Sequence, residues 1–247
     1  MPNDYFQFQQ FRIEQGACAM KVSTDACLLG VAVDLTGATR LLDIGTGTGL
    51  LALMAAQRHP SVAIEAIEID EAAAAQAAAN VAGSPWAGRI RVQGLSLTQY
   101  AAARPAALGG AEFRFSHIVC NPPFFRQSLR APDAARATAR HEGRGALTFG
   151  ELAGFAAEFL LPSGSLTVLL PPPEMLQFAS EAAEFGLKMQ ARLAVRHRPG
   201  GRITRHIACF ERGTGAVVET ELVILDAAGP GYSADFQALL TGFYLAL

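Results

Sequence analysis

Three short stretches of the chain combine residue types and spacings that could do chemistry. In DIGTGTG, residues 43–49, Gly45, Gly47 and Gly49 can take positive φ and bring backbone N–H groups against a ligand at the start of a helix, with Asp43 two positions ahead of them. A dinucleotide-binding turn would want a further glycine where Leu50 stands, which turns the pattern away from NAD; the competing reading is a plain strand-to-helix connection. In IEAIEID, residues 64–70, Glu68 lies where an acid can accept from the two hydroxyls of a ribose, about 20 residues past the glycines. Ile69 beside it can pack on an adenine face, and Asp70 reads as a helix N-cap. Together the two stretches suggest an adenosine-bearing cofactor that needs no pyrophosphate.

The third stretch is VCNPPFF, residues 119–125, where an apolar run ends in an asparagine, two prolines and two phenylalanines. Pro122 and Pro123 fix φ and leave free carbonyls, so the loop holds acceptors in a rigid frame. Such a loop suits a planar exocyclic amine, whose conjugated lone pair is a poor nucleophile. If the side-chain oxygen of Asn121 and the carbonyl of Pro122 each accept one amine hydrogen, the nitrogen is held with its lone pair toward a methyl donor, while Phe124 stacks on the base and Phe125 walls the pocket. Orientation and electrostatic support then do the work without a strong general base. A rigid apolar turn would explain the prolines and rings but leaves Asn121 without a role.

The elements that must carry these loops are legible as an alternation. Strand-like runs at 40–44, 62–69, 89–93, 115–120 and 165–170 alternate with helix-length stretches at 49–58, 71–82, about 149–161 and about 174–185. Two or three β-rich runs come after them, including 188–196 and 216–225. That order implies an α/β fold with βαβ crossovers and a mostly parallel sheet covered by helices on both faces. In open sheets of this kind ligands sit beyond the carboxyl ends of the strands, where all three stretches fall.

Composition narrows the class. With 247 residues, about half of them apolar, the chain suits one large α/β domain or two small ones, and a formal net charge of -2 excludes a uniformly basic nucleic-acid coat. Cys18, Cys27, Cys120 and Cys209 form no CxxC pair and the five histidines no HxxxH or HExxH spacing, so no metal and a reduced, cytoplasmic setting are expected. There is no signal-type N-terminus and no apolar run long enough to span a membrane. His117, inside an apolar strand, reads as a core histidine, and Trp86 as packing.

The three motifs, in this order and spacing, resemble the class I S-adenosylmethionine-dependent methyltransferases that act on exocyclic or amide nitrogens. With CAMKVSTDACLLG (18–30), SPWAGRI (84–90) and GYSADFQALLTGFYL (231–245), the likeness extends over nearly the whole chain and is to the bacterial valine-tRNA adenine-37 N6-methyltransferase family. That resemblance implies a Rossmann-like seven-stranded sheet with its last strand antiparallel, S-adenosyl-L-methionine as donor, and a tRNA adenine beside the anticodon as acceptor. It implies a single domain over 1–247, with residues 1–39 as an extension lining the cofactor site. By position, Lys21, Thr24 and Asp25 fall near the methionine end of the cofactor, Asp43 and the glycines beneath it, and Glu68 on its ribose. Asn121, Pro122, Pro123 and Phe124 hold the base, with Asn121 also facing the cofactor. Relatives usually carry an Asp after the third strand to accept from the cofactor's adenine amine; here Ser96 stands there, a weaker acceptor. Phe124 replaces the commoner Tyr, keeping the stack and losing a hydroxyl.

A tRNA partner needs phosphate contacts. Five arginines lie between Arg126 and Arg144, and five more between Arg196 and Arg212. Either run could be a solvated face, but two, one directly after the base-holding loop, suggest a basic rim with Arg126, Arg130, Arg198 and Arg202 as its contacts. Other readings stay open: a protein-glutamine or ribosomal guanine N2-methyltransferase, a non-catalytic cofactor-binding module, or a nucleotide-dependent oxidoreductase. The oligomeric state is not fixed by the sequence, and a monomer is favoured.

Overall fold

The computed structural model describes residues 4–104, 113–122, 147–227, 229 and 231–246. A short antiparallel hairpin comes first, β1 (Tyr5–Gln7) and β2 (Arg12–Glu14), followed by α1 (Thr24–Ala32). The alternating part then runs β3 (Arg40–Ile44), α2 (Leu50–Arg58), β4 (Ala63–Glu68), α3 (Glu71–Ala82), β5 (Ile90–Gly94), α4 (Leu97–Ala102) and β6 (Phe115–Cys120). It continues with α5 (Phe149–Phe159), β7 (Leu160–Leu170), α6 (Pro172–Glu184), β8 (Leu187–Arg196), β9 (Ile203–Arg212), β10 (Val218–Val223) and α7 (Ala234–Leu240).

One sheet has the order β10-β8-β9-β7-β6-β3-β4-β5. Every neighbouring pair is parallel except those made by β9, which runs antiparallel to β7 and β8. The expectation of seven strands is corrected to eight: β10 adds a parallel edge strand beside β8. The antiparallel strand is the seventh of the set, as expected, but it occupies 203–212, a stretch whose sequence reads only as an arginine run. Its charges hide its period. Ile207 packs against one face of the sheet while Ala208 and Phe210 pack against the other, and Arg205 and Arg212 are taken up by partners elsewhere in the fold.

Helices cover both faces. Consecutive residues Leu41 and Leu42 of β3 are both fully buried, in opposite cores. Successive strand side chains point to opposite faces, so a doubly covered strand must be apolar throughout, and that is why β3 and β6 read as continuous runs. One core joins α1, α2 and α7 through Leu29, Leu53 and Phe236; the other joins α5 and α6 through Phe159 and Phe178, with Phe178 edge-on to Phe210 of β9 at 5.0 Å. Gly30 lets α1 lie directly on α2, because a Cβ there would meet the Met54 sulfur at 2.5 Å. His117 is buried with Nδ1 3.0 Å from the Ser116 hydroxyl, and Trp86 packs edge-on to Phe11. Among the described residues no helix is long and apolar enough to cross a membrane, and no cluster of His, Cys, Asp or Glu has the makings of a metal site.

Candidate active site

Parallel register brings the key loops to one rim. Ile44 lies opposite Ile67 on one side and Cys120 on the other, and Glu68 opposite Gly94. Neighbouring strands are about 4.8 Å apart, so the loops after β3, β4, β5 and β6 start within roughly 15 Å of one another.

Gly45, Gly47 and Gly49 take φ of 69°, 54° and 84°, conformations that any side chain would strain. A Cβ on Gly45 or Gly47 would meet nothing within 4 Å, so the backbone shape, with open space in front of it, is what calls for glycine there. The turn is pinned from behind: the amides of Gly45 and Thr46 both donate to the Ile67 carbonyl, at 2.9 and 3.0 Å. Glu68 closes it from the side, Oε2 accepting from the Gly47 amide at 2.9 Å and Oε1 from the Asp70 amide at 3.1 Å. Each oxygen keeps a lone pair for an incoming donor. Ile69 is 47% exposed beside it, an apolar surface of which nearly half is open.

Asp43 sits under this turn, fully buried. Its Oδ2 accepts from the Thr46 hydroxyl at 2.5 Å, while Oδ1 is buried with no hydrogen-bond partner among the described residues. Burial pushes its carboxyl up to about 7, the Thr46 hydroxyl and Ala52 amide opposing and the Glu68 charge adding to the rise. Because the folded pKa lies above the unfolded value near 3.8, the unfolded chain releases this proton first, and stability falls as pH rises from about 4 to about 7. Replacement Asp43→Asn keeps an acceptor for Thr46 and removes the titration. Its melting temperature should therefore exceed that of the wild type by a margin absent near pH 4 and grown to roughly 3 °C or more at pH 7. A margin independent of pH would show that Asp43 does not titrate in that window.

Asn121 comes directly after the last residue of β6, and its Oδ1 is buried without a hydrogen-bond partner among the described residues. Pro122 is buried next to it. Pro123, Phe124, Phe125, Arg126 and Arg130 lie outside the described residues.

The N-terminal segment crosses the same rim. Cys18 is 7% exposed and close enough to Glu68 and Asp70 that, after burial, their charges are what raise its thiol pKa. The exposed Lys21 lies 3.7 Å from Asp4, and Thr24 is the half-buried first residue of α1. Asp25 accepts from Arg205 Nε at 2.8 Å, a partner that the motif alone does not suggest. Ser96 caps α4: its hydroxyl accepts from the Gln99 amide at 3.1 Å and the Gln99 side chain accepts from the Ser96 amide at 2.9 Å. The serine at this position thus has a structural use, with one lone pair and its proton left over.

The second arginine run does not form a continuous basic patch. Arg196 pairs with Glu221 at 2.7 Å, Arg205 with Asp25, and Arg212 donates to the Ala157 and Leu161 carbonyls. Arg198 and Arg202 remain exposed on the turn from β8 to β9, which emerges at the same rim because β8 runs parallel to the central strands. Two contributors are not evident from sequence. Thr46 holds Asp43, and Asn80, on the buried stripe of α3 with Ala73, Ala77 and Val81, bonds to the glycine turn. A polar residue on an otherwise apolar stripe is the available signal for Asn80.

Residues 18–169 match the family model described as methyltransferase small domain. The chain is 40% identical, over all of both chains, to the tRNA1(Val) (adenine(37)-N6)-methyltransferase of Bacteroides thetaiotaomicron, and 38% identical to that of Shewanella loihica over 98% of this chain and 99% of the other. Among solved structures, a protein of Agrobacterium tumefaciens titled a predicted O-methyltransferase superposes with a TM-score of 0.65 at 19% identity, covering 89% of this chain and 96% of its own. The ribosomal protein L11 methylase of Lactobacillus delbrueckii superposes at 0.54 and 17% identity, over 82% and 84%. Those two likenesses concern the fold, which is that of the class I methyltransferases. With the family model spanning more than half of its length and curated relatives aligned from end to end, the chain belongs to the methyltransferase small-domain family, in its group of bacterial tRNA1(Val) (adenine(37)-N6)-methyltransferases.

Proposed function

We propose that the chain transfers a methyl group from S-adenosyl-L-methionine to the exocyclic N6 of an adenine beside the anticodon of a valine tRNA, in the cytoplasm. The observation that carries the reading is the Oδ1 of Asn121, buried and without a partner among the described residues, at the rim that also holds the glycine turn and Glu68. A buried carbonyl oxygen without a donor is costly, and an amine placed against it supplies the missing hydrogen bond. The names of the full-length relatives support the choice of an adenine amine in tRNA.

The residues fit the cofactor. The glycine turn offers open backbone, the free lone pairs of Glu68 suit a vicinal diol, Ile69 offers an apolar face, and Asp43 Oδ1, without a partner among the described residues, lies beneath. When bound, the cofactor supplies a methyl group activated by a positively charged sulfur. The chain's part is orientation: Asn121 Oδ1 and the Pro122 carbonyl fix the amine, Phe124 stacks on the ring, and the buried setting keeps water out. Methylation leaves the amine positively charged and strongly acidic, so it gives its extra proton to solvent as the product leaves and requires no dedicated strong base. Residues 1–39, led by Cys18 against Glu68 and Asp70, act as part of the same single domain on the cofactor side.

The test is labelled methyl transfer to total tRNA from a strain lacking this protein, followed by nucleoside analysis. N6-methyladenosine at one site in valine tRNA is expected; label in guanosine, or transfer only to protein, would replace the reading. Binding of the RNA gives a further expectation. Arg198→Ala and Arg202→Ala should each weaken tRNA binding and make the slope of log affinity against log salt shallower by roughly 0.7 to 0.9. Titrating fluorescent tRNA at several salt concentrations measures this, and unchanged slopes would move the RNA off this turn.

A further inference from the structure

Asn80 uses its side-chain amide three times. Oδ1 accepts from the Glu14 amide at 2.9 Å, and Nδ2 donates to the Glu14 carbonyl at 2.8 Å and to the Thr48 carbonyl at 2.9 Å. The orientation is unambiguous, since a flipped amide would set its oxygen against two carbonyls. The residue is 5% exposed, so these bonds face no competition from bulk water. It therefore joins three pieces of chain: α3, the end of β2, and the glycine turn between Gly47 and Gly49. One turn earlier on the same helix, Ala77 lies directly under Gly49, where a Cβ would stand 3.5 Å from it.

The residues directly after Glu14 give the junction its consequence. Gln15, 6% exposed, accepts from the Val22 amide at 2.9 Å and so draws residues 15–22 into a closed strap. Within it, the Ala17 amide reaches Gln76 of α3 at 3.4 Å and Cys18 is buried near Glu68 and Asp70. The strap is short, has no helix or strand of its own, and is anchored at its start by Asn80.

We infer that Asn80 is a positioning residue for cofactor binding, holding the strap Gln15–Val22 closed over the Glu68 end of the rim while it fixes the glycine turn. The inference rests on the cofactor reading given above. Asn80 touches no cofactor itself; it acts by keeping the binding-competent arrangement populated. When only a fraction of molecules is competent, apparent affinity falls by that fraction, while the saturated complex is unaltered.

The experiment is calorimetric titration of S-adenosylhomocysteine into wild type, Asn80→Ala, Gln15→Ala and a control, Leu240→Ala, which removes fully buried side-chain volume in α7. Hydrogen exchange of residues 15–22 is measured alongside. Asn80→Ala should bind about tenfold more weakly or worse, as expected if the strap is open in nine of ten free molecules or more. Its strap amides should exchange faster and regain protection on binding. In tRNA methylation the KM for S-adenosyl-L-methionine should rise by a similar factor with kcat within about twofold, the split that a competence effect produces. Gln15→Ala should shift the dissociation constant in the same direction, by about threefold, and decides the matter if Asn80→Ala does not fold. Leu240→Ala should lower the melting temperature and leave the dissociation constant alone. Unchanged affinity in a folded Asn80→Ala, or equal weakening by Leu240→Ala, overturns the positioning role of Asn80. Absence of binding by the wild type instead overturns the cofactor reading, and this inference with it.

Discussion

Asn121→Ala should lower kcat for tRNA methylation by about 10² or more, the usual loss when one preorganised hydrogen-bonding group is removed from a site where charge develops. The same substitution should leave the melting temperature of the free protein unchanged or raised. Oδ1 of Asn121 is buried with no donor among the described residues, a condition that costs roughly 1 to 3 kcal/mol in the free protein and disappears with the side chain. Activity and stability should therefore move apart, which a purely structural asparagine would not allow. Affinity for S-adenosylhomocysteine should change little. The measurements are single-turnover methylation, thermal melting and calorimetry on one preparation. Near-normal turnover, or a melting temperature that falls together with activity, would remove Asn121 from the base-holding role.

Glu68→Ala should weaken cofactor binding by roughly 1.5 to 3 kcal/mol, the worth of hydrogen bonds to a charged acceptor, or about 10- to 150-fold in dissociation constant. The carboxylate has two duties. It receives the Gly47 and Asp70 amides and, in the proposed complex, two ribose hydroxyls. Glu68→Gln keeps one acceptor oxygen and turns an NH2 toward a backbone N–H, so it should fall between wild type and Glu68→Ala. Calorimetry with S-adenosylhomocysteine orders the three proteins. Equal affinity in all of them would mean that Glu68 serves the turn alone and that the ribose lies elsewhere.

Much of this site is legible without the fold. Asp43, the three glycines, Glu68 and Asn121 stand at the ends of apolar runs, and parallel pairing places all such ends on one rim. Fold class is readable for the same reason: Leu41 with Leu42, and Ile118 with Val119, are buried on opposite faces, so those strands have to be apolar throughout. Asp70 and the alanines after it announce α3, and the Asp70 side chain does accept from the Ala73 amide, at 2.8 Å.

The features that sequence hides have their explanation far along the chain. β9 reads as a basic run because Arg205 and Arg212 look solvated in a local window; their partners stand 180 residues away at Asp25 and 55 and 51 residues away at Ala157 and Leu161. Asn80 looks like an ordinary helix residue until its bonds to Glu14, 66 residues back, and to Thr48, 32 residues back, are known. Ser96 stands where an adenine acceptor is expected, while its own helix supplies it with the Gln99 amide. By itself the sequence determined the alternation of elements, the turns that require glycine, and the chemistry available at the strand ends, since propensity, periodicity and backbone strain act over a few residues. Only the tertiary structure decided which arginines remain open to solvent, which carboxylate is driven toward neutrality and which buried amide ties the strap to the glycine turn, because desolvation and hydrogen-bond satisfaction depend on groups that folding brings together from distant parts of the chain.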